Sequence, residues 1–175
     1  MAGHTLDPGN LGDHVDRLYR AAWAMSGSPL DAEDLVQETF ARVLAKPRRI
    51  HNGDDIGYLL QALRNVFTDS QRRRARRLAP ESLDELSSVP DPSSATTPAE
   101  AAEARQVFAL IAGLPSPLRD TLVAVDVAGL SYSEAGELLD VKEATITSRV
   151  FRARARVARA MQDSSDVVST SEGTE

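Results

Sequence analysis

A chain of 175 residues has room for one ordinary domain or two small ones, and its 42% hydrophobic and 26% charged residues are the proportions of a globular protein. No apolar run approaches the roughly 18 residues that cross a bilayer, MAGHTLDPGN lacks the basic start and apolar stretch of an export signal, and the absence of cysteine excludes disulfides, thiol catalysis and cysteine-held zinc. The net charge of -6 argues at first sight against nucleic acid, yet Arg72, Arg73, Arg74, Arg76 and Arg77 cluster in one stretch and Arg149, Arg152, Arg154, Arg156 and Arg159 in another, so two basic stripes sit on an acidic protein suited to a factor that needs a partner to hold DNA well. The expected location is the cytosol, without direct membrane insertion.

In chain order, Leu11, Val15, Leu18, Tyr19, Ala22 and Met25 recur at helical spacing and predict a first helix ended by Gly27. Ser28, Pro29 and Asp31 read as the start of a second, running to about Ala45, with a capping hydroxyl, a first-turn proline and an acid at the positive dipole end. Its apolar face is Ala32, Leu35, Val36, Phe40 and Val43; Asp34, Glu38 and Arg42 stripe the far side, with Gln37 beside them. A third helix begins near Asp54, buries Ile56, Leu59, Leu60, Leu63, Val66 and Phe67, and runs into the arginines. These three helices form the first module, 11–77.

Residues 78–97, rich in proline, serine and threonine, read as a flexible linker. Fully stretched it reaches roughly 70 Å, at about 3.5 Å per residue, and as a loose coil it averages nearer 25 Å. Thr97-Pro98-Ala99-Glu100 is a capping box that opens a fourth helix with Ala104, Val107, Phe108 and Ile111 as its apolar stripe, stopped by Gly113. A fifth runs from Ser116 to Gly129. A second capping box, Ser131 to Glu134, starts a short helix to Leu139, and after a turn a last helix runs to about Met161. The second module is therefore 98–161, and the acidic, serine-rich residues 162–175 are expected to be disordered. The fold class is all-α: two small helical domains joined by a linker.

The last two helices have helix-turn-helix proportions. Gly136 allows a close crossing, Ile146 and Val150 face inward, and Thr145, Thr147, Ser148, Arg149 and Arg152 are left near or on the surface, where a major-groove helix presents hydroxyls and guanidiniums. The plainer alternative is a surface helix with a solvated arginine face. On the third helix Tyr58, Gln61, Asn65, Thr68, Arg72 and Arg76 form one outward stripe, with Arg73 adding to the basic cluster. An aromatic, amides and cations in line suit a single strand whose bases leave the stack; the alternative is an exposed helix with Tyr58 partly packed. His4, His14 and His51 are too scattered for a metal cluster, and no nucleophile and base pair or phosphate-binding loop suggests an enzyme or a cofactor.

The stretch DAEDLVQETF, residues 31–40, resembles the most recognisable part of sigma factor region 2, and YLLQALRN, residues 58–65, resembles the start of the DNA-reading helix that follows it. LSYSE at 130–134 and TITSR at 145–149 resemble region 4. With only a linker between them, the chain resembles an extracytoplasmic-function sigma factor. The resemblance implies that the face of Asp34, Gln37, Glu38 and Arg42 docks on core RNA polymerase. It implies that Tyr58, Gln61, Asn65, Thr68, Arg72, Arg73 and Arg76, with the loop 48–55, melt and read the -10 element, Asn65 holding a flipped base. It assigns the -35 element to Thr145, Thr147, Ser148, Arg149 and Arg152. The implied partners are the polymerase (its β′ coiled coil and β subunit), promoter DNA and an anti-sigma factor. Tyr58 stands where many members have tryptophan, Asp140 and Ala144 where many have glycine, Lys142 where many have proline, and Thr147 where many have a basic residue, so the -35 bases read here should differ. Aspartate can occupy a left-handed position, so Asp140 should keep the turn. A free-standing helix-turn-helix regulator would leave the DAEDLVQETF face unexplained, and a helical adaptor would give neither arginine stripe a salt-dependent hold on DNA.

Overall fold

The computed structural model describes residues 4–6, 8–50, 54–77 and 97–171. Regular structure there is helical except for one antiparallel pairing of His4–Thr5 (β1) with Arg49–Ile50 (β2). Two residues per strand are too few for alternation to show in a sequence, and the pairing ties the N-terminal end to the loop before the third helix.

A 3-10 helix over Pro8–His14 leads into α1 (Val15–Ser26), so the helix expected from Leu11 starts as a tighter coil. Pro8, Gly9 and Gly12 are poor formers of a continuous α-helix. Gly27, at φ 77°, closes α1 by donating its N–H to the Trp23 carbonyl at 2.7 Å, a left-handed position open to glycine without strain. The Ser28 side chain accepts from the Asp31 N–H and starts α2 (Pro29–Ala45). α3 (Asp55–Arg77) begins on Asp54, whose Oδ1 accepts from the Gly57 N–H at 2.9 Å. Leu18, Leu59 and Leu63 are fully enclosed among these helices, with Leu35, Val36, Val43 and Val66 around them.

The second module comprises α4 (Pro98–Ala112), α5 (Ser116–Leu122), α6 (Tyr132–Leu139) and α7 (Glu143–Ser171). Thr97 with Glu100, and Ser131 with Glu134, form the two expected capping boxes. Hydrogen bonds hold both carboxyls below their ordinary pKa, the Thr97 backbone leading for Glu100 and the Ser131 side chain for Glu134. Each helix start therefore keeps that stabilisation above the ordinary carboxylate range and loses it as pH falls through the lowered value.

Two expectations for this module are corrected. α5 does not continue as an α-helix to Gly129 but widens into a π-helical turn over Val123–Val127, with the Ala128 N–H reaching back five residues to the Val123 carbonyl at 2.8 Å. Val123, Val125 and Val127 are stiff at χ1 and weaken α-helical order there. α7 does not end near Met161 to leave a disordered tail; it runs to Ser171. Once a helix is nucleated each further residue adds a bond cheaply, and no proline or glycine intervenes before Gly173.

The expected linker, 78–97, lies outside the described residues except for its last residue, the cap Thr97. The modules it joins do not stand apart: one apolar cluster runs through both. Trp23 of α1 meets Phe108 of α4 edge to face at 4.8 Å. Arg17 donates through Nε (3.1 Å) and Nη2 to the Ala128 carbonyl at the end of the π-helical turn. Asp120, only 8% exposed at its side chain, accepts from Arg64 of α3 at 2.9 Å and from Arg119 at 3.0 Å, and the Arg119 guanidinium lies 4.8 Å from the centre of the Phe67 ring. Among the described residues no helix is long and apolar enough to cross a membrane.

Candidate functional site

On α2 Ala32, Leu35, Val36 and Val43 turn inward and leave Asp34, Gln37, Glu38 and Arg42 exposed. Arg42 donates to Glu38 at 2.7 Å, one helical turn away, and to Asp69 of α3 at 3.0 Å. The Asp69 bond first, and the Glu38 bond second, hold its guanidinium above its ordinary pKa. Asp34, Gln37 and Glu38 border a groove of about 500 Å³ whose floor is Leu35 and Val66 and whose far wall includes Ser70 and Arg73. Carboxylates around an apolar floor form a docking surface for a basic, partly apolar protein segment. Asp69 was missed, because a partner 27 residues away leaves no mark on local periodicity.

Arg73, expected as part of the basic cluster, lines the α2 groove. The stripe itself is present on α3: Tyr58 is half-buried, and Gln61, Asn65, Arg72 and Arg76 are exposed. Thr68 is half-buried and donates its hydroxyl to the Arg64 carbonyl at 2.8 Å. Tyr58, Gln61 and Asn65 border a groove of about 300 Å³ together with Arg42, Lys46 and Arg48 from the end of α2 and the loop beyond. An aromatic edge, two amides and three cations around one groove can stack a base, read its edge and balance its phosphate. Arg42 lines this second groove and reaches the first through its bond to Glu38. Lys46 was missed because it lies at the end of α2, where no stripe on α3 points to it. Of the loop 48–55, residues 51–53 lie outside the described residues.

In the second module Asp140 takes the left-handed conformation, φ 53° and ψ 49°, and turns α6 into α7. Gly136 is needed for its size: a Cβ there would stand 2.9 Å from the Val141 carbonyl oxygen. Ile146, Val150 and Ala153 are buried; Thr147, Ser148 and Arg152 are exposed, and Thr145 and Arg149 are half-buried. The Thr147 and Ser148 hydroxyls donate to the Glu143 and Thr145 carbonyls within α7, and Arg152 Nε donates to the Ser148 carbonyl at 3.3 Å. Phe151, 75% exposed next to Arg152, was missed. Its signal was its place off the Ile146, Val150 and Ala153 face, and an exposed aromatic there offers apolar surface of the kind that can meet a thymine methyl. Arg154 belongs to the scaffold instead: Asp126 binds it in a fork at 2.8 and 2.7 Å and raises its pKa, seating α7 on the π-helical turn.

Comparison with known proteins bears on both modules. Sigma-70 region 2 matches residues 11–77, and Sigma-70, region 4 matches residues 104–157. The ECF RNA polymerase sigma factor SigE of Mycolicibacterium smegmatis is 38% identical over 81% of this chain, which spans 56% of that protein's length. The ECF RNA polymerase sigma factor EcfG of Rhodopseudomonas palustris is 32% identical over 82% of this chain and 78% of its own length. In fold, the sigma factor RpoE from Bartonella quintana, solved in complex with the anti-sigma factor NepR, matches 88% of this chain and 95% of its own with a TM-score of 0.70 at 24% identity.

Proposed function

The chain belongs to the extracytoplasmic-function sigma factors of bacterial RNA polymerase, and from that premise we propose how its surfaces divide the work of starting transcription. The α2 groove of Asp34, Gln37 and Glu38, with Arg42 bonded to Glu38, docks on core polymerase, on the β′ coiled coil, with the β subunit as a further contact. Tyr58, Gln61 and Asn65 open and read the -10 element, and Thr68, Arg72 and Arg76 continue that face. Arg73, placed in the α2 groove, serves the protein contact. Thr145, Thr147, Ser148, Arg149 and Arg152 read the -35 element. RNA synthesis stays with the polymerase, and the chain contributes binding alone. Each module binds weakly, and joining them on one polymerase makes the second contact intramolecular, so a promoter needs both elements.

The observation that carries this reading is the groove in which Tyr58, Gln61 and Asn65 face Arg42, Lys46 and Arg48. A free-standing helix-turn-helix regulator has no use for that groove or for the acidic one beside it. Transcription from defined promoters by purified core polymerase, with and without the chain, tests the whole: no promoter-dependent product removes the assignment. Within it, Tyr58→Ala or Asn65→Ala is expected to reduce strand opening more than recruitment, by about 1–3 kcal/mol for a lost stacked base. Permanganate footprints as strong as those of the unsubstituted chain would remove α3 from the -10 role.

For α7, Arg152→Ala is expected to lower transcription from promoters that depend on a -35 element, and Ser148→Ala to do so more mildly. A lost phosphate contact weakens all sequences alike, whereas a lost base contact shifts preference by about 1–3 kcal/mol. A -35 library read identically by both variants and the parent would show that another surface does the reading. An anti-sigma factor that competes for the Asp34 and Glu38 face completes the proposed partners.

A further inference from the structure

We propose that the segment His4–Leu6 is a positioning element of the base-reading groove: by pairing with Arg49–Ile50 it fixes the loop that brings Lys46 and Arg48 to face Tyr58, Gln61 and Asn65. The inference rests on the assignment of that groove to the -10 strand, and adds to the site a segment of the chain outside α2 and α3.

The need for such a segment comes from where the groove's cations stand. Tyr58, Gln61 and Asn65 are set by α3, whose inner residues Leu59, Leu63 and Val66 are buried, and Arg42 is held by Glu38 and Asp69. Lys46 and Arg48 belong to neither helix. Lys46 is the residue on which α2 leaves helical geometry, and both side chains are exposed, so the path of the backbone through 46–50 decides where their charges stand. A cation on a loop that must be ordered during binding serves a phosphate less well than one already in place, because the ordering costs affinity.

Two anchors fix that path. At the far end Asp54 accepts from the Gly57 N–H at 2.9 Å and joins the loop to the first turn of α3, and Gly57 leaves room for the carboxylate, which a Cβ there would strike. At the near end Ile50, 5% exposed, lies in the apolar core; its register partner is His4, with Thr5 opposite Arg49. Two strands of two residues each do not hold in water by themselves. This pair is pinned by an apolar side chain on each side of it, since Leu6, directly after β1, is only 9% exposed and belongs to the same core as Ile50. Ile50 and Asp54 also border a smaller groove with Tyr58 and Gln61, so the strand that His4 and Thr5 hold stands beside the aromatic itself. The docking groove on α2 is lined by other residues, among them Asp34, Gln37 and Glu38, and loss of the ribbon should therefore separate the two duties.

Leu6→Ala tests this in the complex of the full chain with core polymerase, at a temperature where circular dichroism shows the variant folded. Polymerase is expected to bind within about twofold of the parent, while opening of the -10 strand, read by permanganate at a promoter that the parent transcribes, falls about tenfold, the loss expected when one or two loop residues must be ordered anew. Leu6→Met is expected to behave as the parent. A Leu6→Ala chain that opens the strand as well as the parent overturns the proposal. So does one that loses polymerase binding and strand opening in equal measure, which is the mark of a residue that only supports the core.

The absence of cysteine allows a rescue that does not depend on Leu6, because one engineered pair gives one disulfide. Cα partners in an antiparallel ribbon stand about 4.5–5.5 Å apart, inside the about 4.4–6.8 Å that a disulfide spans. Thr5→Cys with Arg49→Cys is placed in the Leu6→Ala chain and compared oxidised and reduced, so that the loss of Leu6 and Arg49 is common to both. Oxidation is expected to raise strand opening about tenfold, and dithiothreitol to abolish the gain. An oxidised chain no better than the reduced one overturns the proposal, and so does a pair that fails to oxidise in the folded chain. If the parent chain itself gives no promoter-dependent transcription, the sigma assignment fails, and the role of His4–Leu6 falls with it.

Discussion

Replacing Asp34 and Glu38 together with lysine is expected to weaken binding to core polymerase by at least about 100-fold, close to 3 kcal/mol, while helical content and unfolding temperature stay nearly unchanged. Both residues are exposed on the α2 groove. The one ion pair lost, Glu38 with Arg42, is solvent-exposed on both sides, at 46% and 39%, and Arg42 keeps Asp69. Such a pair contributes about 1 kcal/mol at most. The effect on polymerase is larger because, in the proposed docking, reversal sets lysines against a basic partner surface. An anti-sigma factor competing for this face should be lost with polymerase. A titration of labelled core polymerase decides: equal affinity for the variant and the parent moves docking elsewhere, and an inhibitor that still binds the variant uses another surface.

Leu63→Ala is expected to destabilise the chain by about 2–5 kcal/mol, a large part of the roughly 5–15 kcal/mol that holds an ordinary domain together. Leu63 is wholly enclosed on the inner face of α3, two positions before the exposed Asn65. Thermal unfolding followed by circular dichroism should fall on the order of 10 °C. A change under about 1 kcal/mol would mean that Leu63 is not in the core. Because this leucine backs the helix whose stripe is proposed to read bases, strand opening should fail on warming before recruitment does.

What could be read without coordinates was what is local. Ser28, Thr97 with Glu100, and Ser131 with Glu134 act on donors three residues away, so residue type and spacing announce them. Asp140 was legible for the same reason, since few side chains tolerate a left-handed turn. The exposed acids of α2 and the stripe on α3 followed from helical periodicity, and the family resemblance supplied their roles. Arg42 with Asp69, Arg64 with Asp120, and Arg17 with the Ala128 carbonyl are separated by 27, 56 and 111 residues, and no pattern within one helix encodes them. That Arg73 lines the α2 groove was hidden for the same reason, because a run of adjacent arginines winds round the helix and only packing decides which one meets α2. Reading residues 78–97 by composition alone suggested freedom between the modules. The contacts that join them are made by α1 and α3 on one side and by α4, the α5 region and α6 on the other, pairs far apart in the chain that composition does not reveal.

The π-helical turn has a bearing on how this protein can change. A turn of this kind holds one residue more than an α-helix needs over the same rise, so it behaves as an insertion already absorbed. Removing one residue from Val123–Val127 would let ordinary bonds close, but only by redrawing the turn in which Asp126 sits and from which the Ala128 carbonyl emerges. Asp126, which grips Arg154, and the Ala128 carbonyl, which receives Arg17, would both lose their bearings. Exchanging one valine there for alanine alters bulk and leaves register intact. Lineages should therefore tolerate substitution in this turn far better than a change of length.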